Sequence, residues 1–362
     1  MVNDKVRVGV IGAGFGRKAH IPGFKVWPDA EVVAICDIAL GLAESVAQEM
    51  DIPRVFTYYN EMVKMEELDL VTVATPPFLH HPMVMAALQA GKHVLCEKPM
   101  ALDAGEALEM YSTAEKAGVV HLVDHELRFN PTRKRVKELI DDGYIGRLRH
   151  VLLTTFTSFQ ATADGSPWTW WSQREKGGGR LGADGSHQID QLRWWFGEID
   201  GVSSRGRTFV TERKLPASPE VRRVDSDDFT SLLVHFASGA EGVICLSSVA
   251  RHARGNRVEV YGDEGSLALD ADNRLWGARM GETDFENLTV PDPLVTMDGI
   301  APNVWTRSFA HLARHLLDTI RSGGELQQGA TFLDGLRCQV VLDAAKQSWD
   351  EETWVQTGDG ID

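Results

Sequence analysis

Lys98 stands in the run Cys96-Glu97-Lys98-Pro99, directly after the apolar segment Lys92-His93-Val94-Leu95-Cys96. That segment reads as a short buried strand with a turn after it. In an open parallel sheet, ligands sit just beyond the carboxyl ends of the strands. A lysine delivered there can reach a substrate hydroxyl and hold or move a proton, because burial and neighbouring charge tune an ammonium group. Pro99 fixes the backbone after the lysine; a cis Lys98-Pro99 bond would aim the ammonium inward, although base rates favour trans. Three common residues in a row also suit a plain solvated turn, so the weight falls on their surroundings.

The second chemical stretch is Gly12-Ala13-Gly14-Phe15-Gly16-Arg17, which follows the apolar strand Val6-Arg7-Val8-Gly9-Val10-Ile11. Strand, glycine-rich turn and helix form the pattern of a dinucleotide-binding turn. The first glycine permits the tight turn, and the second lets backbone approach a pyrophosphate at a helix N-terminus. The third glycine is displaced: Gly16 comes one position early and Arg17 fills its slot. Glu31-Val32-Val33-Ala34-Ile35-Cys36-Asp37 is a second apolar strand ending in an acid. Asp37 follows Gly14 at close to the ~20 residues expected for the carboxylate that binds the adenosine ribose hydroxyls. Its charge would repel a 2′-phosphate, which favours NAD over NADP, with Arg17 a partial offset.

These residues need a sheet to position them, and the pattern supplies one. Ala39 to Glu49 suits a helix, Leu68 to Ala74 a buried strand, and Pro82 to Ala90 a helix stopped by Gly91. Thr75-Pro76-Pro77 breaks the chain where a cofactor would cross. His80 and His81, with no third ligand in view, read as surface or capping residues, and no metal site is expected. Ala101 to Ala117 forms a further helix, N-capped by Asp103 and stopped by Gly118, before the strand Val119 to Val123. This βαβ rhythm predicts a doubly wound parallel sheet.

Beyond it, Thr132 to Asp141 is a basic amphipathic helix capped by Gly143, and from His150 the pattern turns to strands. They are placed at Val151 to Phe156, Phe229 to Phe236, Glu241 to Ser247 and Arg257 to Val260, with hairpin turns at Ser238-Gly239 and Asp263-Glu264-Gly265. Helices return at Phe309 to Ile320 and Phe332 to Trp349, the last expected to pack back on the first domain. Five of the ten tryptophans lie between Pro167 and Trp195. Trp194-Trp195-Phe196 suits core packing on a helix. Trp170 and Trp171 lie in a Pro- and Gly-bounded loop, where aromatic faces can meet the apolar side of a sugar ring.

A chain of 362 residues exceeds one ordinary core, so two domains are expected. Hydrophobic residues at 43% and charged residues at 25% describe a soluble globular protein, and no apolar run approaches the ~20 residues of a membrane helix. Lys plus Arg number 37 against 52 Asp plus Glu, a formal charge of −15 that disfavours nucleic acid or an anionic membrane as partner. The start at Met1 shows no signal-peptide pattern, and Cys36, Cys96, Cys245 and Cys338 are scattered, as expected for reduced thiols in the cytoplasm.

Taken together, Val10-Ile11-Gly12-Ala13-Gly14, Asp37, Ala74-Thr75-Pro76 and Ala90-Gly91-Lys92-His93-Val94-Leu95-Cys96-Glu97-Lys98-Pro99 resemble the Gfo/Idh/MocA oxidoreductases. Leu127-Arg128-Phe129-Asn130-Pro131 and Asp142-Gly143-Tyr144-Ile145-Gly146 extend the likeness over nearly the whole chain, most weakly from about Gly281 to Asn303. The resemblance implies a Rossmann domain, here 1–127, and a second domain, 128–362, built on a large open, mostly antiparallel sheet that pairs subunits as a dimer or tetramer. It implies hydride exchange between NAD and a secondary alcohol of a sugar, cyclitol or sugar derivative. Gly12 to Arg17, Asp37, Ala74, Thr75, Pro76, Glu97 and Lys98 would face the cofactor. Arg128, Trp170, Trp171, Asp184 and His187 would face the substrate.

Gly177-Gly178-Gly179 leads into the segment carrying His187, which matches the family's catalytic histidine, with Lys98 as its partner on the substrate oxygen. The family's aspartate four residues before that histidine is Ala183 here; the nearest acid is Asp184, and Asp190 lies one turn after. If the segment is α-helical, Asp184 is rotated by about 100° from the vacated position. Two rival readings stay open at the level of sequence: a redox-neutral enzyme with tightly held NAD, of glycosidase or eliminase type, and a non-enzymatic NAD-binding regulator.

Overall fold

A computed structural model describes residues 5–358, which form two compact units. The first comprises residues 5–130 and 292–336, the second residues 131–291 and 337–358.

The first unit is built on six parallel strands: β1 (Val6–Ile11), β2 (Ala30–Cys36), β3 (Arg54–Phe56), β4 (Leu70–Val73), β5 (His93–Cys96) and β6 (His121–Val123). Their order is β3-β2-β1-β4-β5-β6, so the winding reverses between β1 and β4, the place where such sheets bind ligands. Val8, Val10, Leu70, Val71, Val94 and Leu95 are fully buried, as expected of strands covered on both faces by helices. The helix Ala104–Ala117 starts where Asp103 Oδ1 accepts from the Glu106 N–H at 2.9 Å, and stops at Gly118 with φ 63°.

One division of the chain near residue 127 does not describe the structure. The helix Val304–Ser322 belongs to the first unit, where Phe309, Leu312, Ala313, Leu316 and Leu317 complete the core with Val8, Val10 and Phe24. A Cβ on Gly23 would lie 2.3 Å from the Phe309 ring, so that helix seats closely because residue 23 is glycine. The last helix also reaches the parallel sheet with its first turn, where the Phe332 ring lies 4.9 Å from that of His121 on β6 and a Cβ on Gly335 would lie 2.6 Å from Val123. The last helix, Phe332–Glu351, leaves the first unit after Leu336, because Cys338, Val341, Leu342 and Ala345 belong to the core of the second.

The second unit carries β7 (Leu148–Phe156), β8 (Ile199–Arg207), a two-stranded ribbon of β9 (Glu212–Lys214) and β10 (Val221–Arg223), then β11 (Phe229–Phe236), β12 (Glu241–Ser247), β13 (Gly255–Gly262), β14 (Gly265–Leu269), β15 (Leu275–Arg279), β16 (Glu286–Asn287) and β17 (Val355–Gln356). All but the ribbon join one sheet of order β16-β15-β14-β13-β7-β12-β11-β8-β17, antiparallel except for the parallel pair β7–β12. One face packs Val151, Leu153, Val234, Ile244 and Leu246 against Ile189, Leu192 and Trp195 of the helix Ser186–Phe196. On the other face Leu152, Val243 and Leu233 sit side by side across three strands, 39%, 36% and 48% exposed.

β8 escapes sequence patterning because Asp200-Gly201-Val202-Ser203-Ser204-Arg205-Gly206-Arg207 is poor in strand-forming residues. Its Gly206 has a packing role: a Cβ there would lie 2.1 Å from Trp349 of the last helix. Gly206→Ala is expected to destabilise the second unit by about 1–3 kcal/mol through overpacking. Gly41→Ala, in open space on the helix Leu40–Glu49, should be neutral or stabilising. Equal denaturation midpoints for the two variants would contradict this account of Gly206.

Candidate active site

In the first unit the glycine turn is shaped by contacts that a side chain would break. Gly12 has φ 103°, and a Cβ on it would lie 2.5 Å from the Ala74 carbonyl oxygen. The turn thus lies directly against the start of Ala74-Thr75-Pro76. A Cβ on Gly16 would lie 2.7 Å from Val10 Cγ1, so the displaced glycine still performs the third glycine's task of close helix–strand packing. Nothing lies within 4 Å of a Cβ built on Gly14, which leaves room for a ligand against its backbone. Asp37 accepts from the Ala13 N–H on Oδ2 and from the Ala39 N–H on Oδ1, both at 2.9 Å. Each oxygen keeps a lone pair for a ribose hydroxyl. These residues fit a dinucleotide. Arg17, a partial offset for Asp37 at the level of sequence, pairs instead with Glu49 at 2.7 Å.

His80 is not a surface residue. It is fully buried, with Nε2 2.8 Å from the Thr75 carbonyl and Nδ1 2.9 Å from that of Pro99. It therefore ties the loop after β4 to the loop after β5. Burial pushes its pKa below the usual value, against the pull of these carbonyls and of Glu97. His81 faces outward to Glu109 at 2.9 Å. The Lys98-Pro99 bond is cis, against the base-rate expectation.

Glu97, buried beneath Lys98, accepts from the Lys98 N–H on Oε2 at 3.2 Å. Its Oε1 lies 2.9 Å from Nε2 of His20, whose Nδ1 meets the Thr72 hydroxyl. Asp124, just past β6, brings Oδ2 within 3.5 Å of the same Nε2. Burial would raise the Glu97 pKa, but the His20 hydrogen bond and the Lys98 charge override it and hold it to about 2. Burial and the charges of Glu126 and Glu97 push Asp124 well above the carboxylate range. Neither His20 nor Asp124 was anticipated. Asp124 alone left a signal, an acid at the carboxyl end of a buried strand, the position Asp37 also holds.

In the second unit His187 is buried near the start of the helix Ser186–Phe196. The preceding turn, Leu181–Gly185, is a π-helix, so an α-helical count of side-chain directions fails there. Asp184 pairs with Arg180 at 2.5 Å, both buried, and Ala183 and Asp190 are buried with them. Asp227 starts the turn by accepting from the N–H groups of Arg180 and Leu181 at 3.1 and 2.9 Å and from the Thr230 hydroxyl. Only glycine fits at 179, with φ 106° and a Cβ position 2.0 Å from Asp227 Oδ1. Trp170 and Trp171 form a half-buried pair with ring centres 5.0 Å apart, and Gly178 passes against their carbonyls. Trp195 lies in the core, as expected. Arg128, in the first unit, binds the Gly329 carbonyl and Asp334, each at 3.0 Å, which are structural ties.

The profile of an oxidoreductase family with an NAD-binding Rossmann fold matches residues 6–125, and that of the GFO/IDH/MocA C-terminal domain matches residues 134–268. An uncharacterised oxidoreductase of Synechocystis sp. is 33% identical over 99% of this chain and 97% of its own. Levoglucosan dehydrogenase of Pseudarthrobacter phenanthrenivorans is 30% identical over 97% of this chain and 98% of its own. A solved levoglucosan dehydrogenase in complex with NADH and levoglucosan superposes with a TM-score of 0.89 at 27% identity, covering 98% of this chain and 99% of that one.

Removing Asp184 takes a paired carboxylate from the buried Arg180 charge. Asp184→Ala is expected to cost about 3 kcal/mol of stability, and the double variant Arg180→Met/Asp184→Leu less than the single. Equal losses in denaturant titrations of the single and double variants would refute the pairing.

Proposed function

Because the chain belongs to the Gfo/Idh/MocA family of NAD-binding oxidoreductases, we propose that it is a dehydrogenase or reductase of a secondary alcohol on a sugar, cyclitol or sugar derivative. The observation that carries this reading is one parallel sheet that ends in both a glycine turn closed by Asp37 and the Glu97-Lys98 pair. Dehydrogenases of levoglucosan, D-apiose and myo-inositol among the relatives support the carbohydrate class.

Bound NAD supplies the hydride acceptor or donor. Backbone of Gly12 to Gly16 receives the pyrophosphate, Asp37 holds the ribose hydroxyls and favours NAD over NADP, and Ala74-Thr75-Pro76 and Glu97 complete the cofactor side. In the oxidising direction Lys98 holds and polarises the substrate oxygen. The carbinol C–H bond breaks with its electron pair leaving as hydride, the O–H proton passes to His187, and the C=O bond forms. Trp170 and Trp171 offer an aromatic face to the sugar ring. The apolar row Leu152-Val243-Leu233 is the surface on which a second copy docks. Among the described residues no helix is long and apolar enough to cross a membrane.

Screening a sugar and cyclitol panel for change in NADH absorbance tests the reading. With a responsive substrate, Lys98→Met and His187→Ala should each lower kcat by about 10²-fold or more while NADH still binds. Near-normal turnover in Lys98→Met would reduce Glu97-Lys98-Pro99 to a plain turn. Asp37→Ser should weaken NAD binding about tenfold and narrow the preference over NADP. An unchanged ratio of the two affinities would remove Asp37 from the ribose site.

A further inference from the structure

His20 and Asp124 have no part in the roles proposed above, yet they are built into the sheet next to Lys98. Thr72 comes from β4, Glu97 and Asp124 directly follow β5 and β6, and His20 opens the helix His20–Lys25. His20 has no solvent exposure, and its ring lies 4.5 Å from that of Phe309, centre to centre. We propose that His20, Glu97 and Asp124 form one buried, proton-sharing unit with a single negative charge, and that His20 and Asp124 are positioning residues that fix Glu97 as the counter-charge of Lys98. This rests on the dehydrogenase reading.

The protons can be placed one by one. Two carboxyl groups this close in a dry site do not both ionise. Asp124 is the one whose surroundings keep it protonated, and its O–H donates to Glu97. The Thr72 hydroxyl donates to His20 Nδ1, which leaves the Nε2 proton to donate to Glu97 Oε1. With the Lys98 N–H on Oε2, the buried carboxylate is met by donors on both oxygens. Lys98, Glu126, His80 and Cys96 also face the set, and Lys98 brings a positive charge.

Ligand atoms of His20, Glu97 and Asp124 all lie within 4.8 Å of one another, the composition of a cation site. Shared protons already join them, however, and the lysine fills the cation's electrostatic role. A carboxylate held this way cannot swing, so the backbone at residue 98 is held as well. That is how a histidine and an acid with no substrate contact bear on the chemistry.

Infrared difference spectra, wild type minus Asp124→Asn at neutral pH, test the shared proton. A protonated-carboxyl band lost in the variant is expected, and the absence of any such difference overturns the proposal. This readout needs no substrate, so its failure is distinct from a failure to find an alcohol that the enzyme oxidises. In turnover, His20→Phe retains the ring against Phe309 and Asp124→Leu removes the donor. Each should lower kcat about tenfold or more, with KM and NADH affinity within about threefold. Asp124→Asn keeps an N–H donor and should recover most of that loss. Unchanged kcat in His20→Phe and Asp124→Leu, or one tightly held divalent metal per purified chain, overturns the proposal.

Discussion

A carboxylate sealed from water has to be met by donors and by charge, and Glu97 is the point at which the first unit satisfies that requirement. Four segments far apart in sequence contribute: the turn after the glycines through His20, β4 through Thr72, the Lys98 backbone, and the end of β6 through Asp124. Parallel pairing makes this possible, because it brings the carboxyl ends of successive strands to one edge. The same edge receives the Gly12 turn against Ala74 and the His80 tie between the loops after β4 and β5. Lys98 is thus the half-buried end of a buried construction rather than an isolated side chain.

Much of this was legible in the sequence wherever the signal is local. The glycine turn, Asp37 and the strand before Lys98 are read from short spacings that backbone geometry dictates. Gly16 stands out of register in the motif, yet it makes the contact the motif's third glycine makes, with Val10 six residues earlier. His20 was silent because its partners lie 52 and 77 residues away and nothing near it in the chain hints at burial. Burial of His80 is hidden from its local sequence for the same reason: one of its two carbonyl partners belongs to Pro99.

The second unit shows the other limit. Alternating apolar residues placed β11 and β12 at their observed bounds, whereas β8 is held by its neighbours and not by its composition. The turn before His187 holds two glycines among five residues, and no periodicity separates an α-turn from a π-turn over so short a run. The bonds that select the wider turn come from Asp227, more than forty residues on.

The return of residues 292–336 to the first unit has a consequence for how the protein is made. The parallel sheet is complete in its strands by Val123, but the Phe309 ring that closes over Gly23 and Phe24 arrives only after residues 131–291 have been synthesised. A nascent chain emerging at about 5–20 residues per second waits many seconds with that apolar face uncovered. The stretch 131–291 emerges inside an unfinished host, and its own core waits longer still, for Cys338, Val341, Leu342 and Ala345 of the last helix. The glycine turn and its sheet are, in genetic terms, not a cassette that can be cut out at residue 130 and moved.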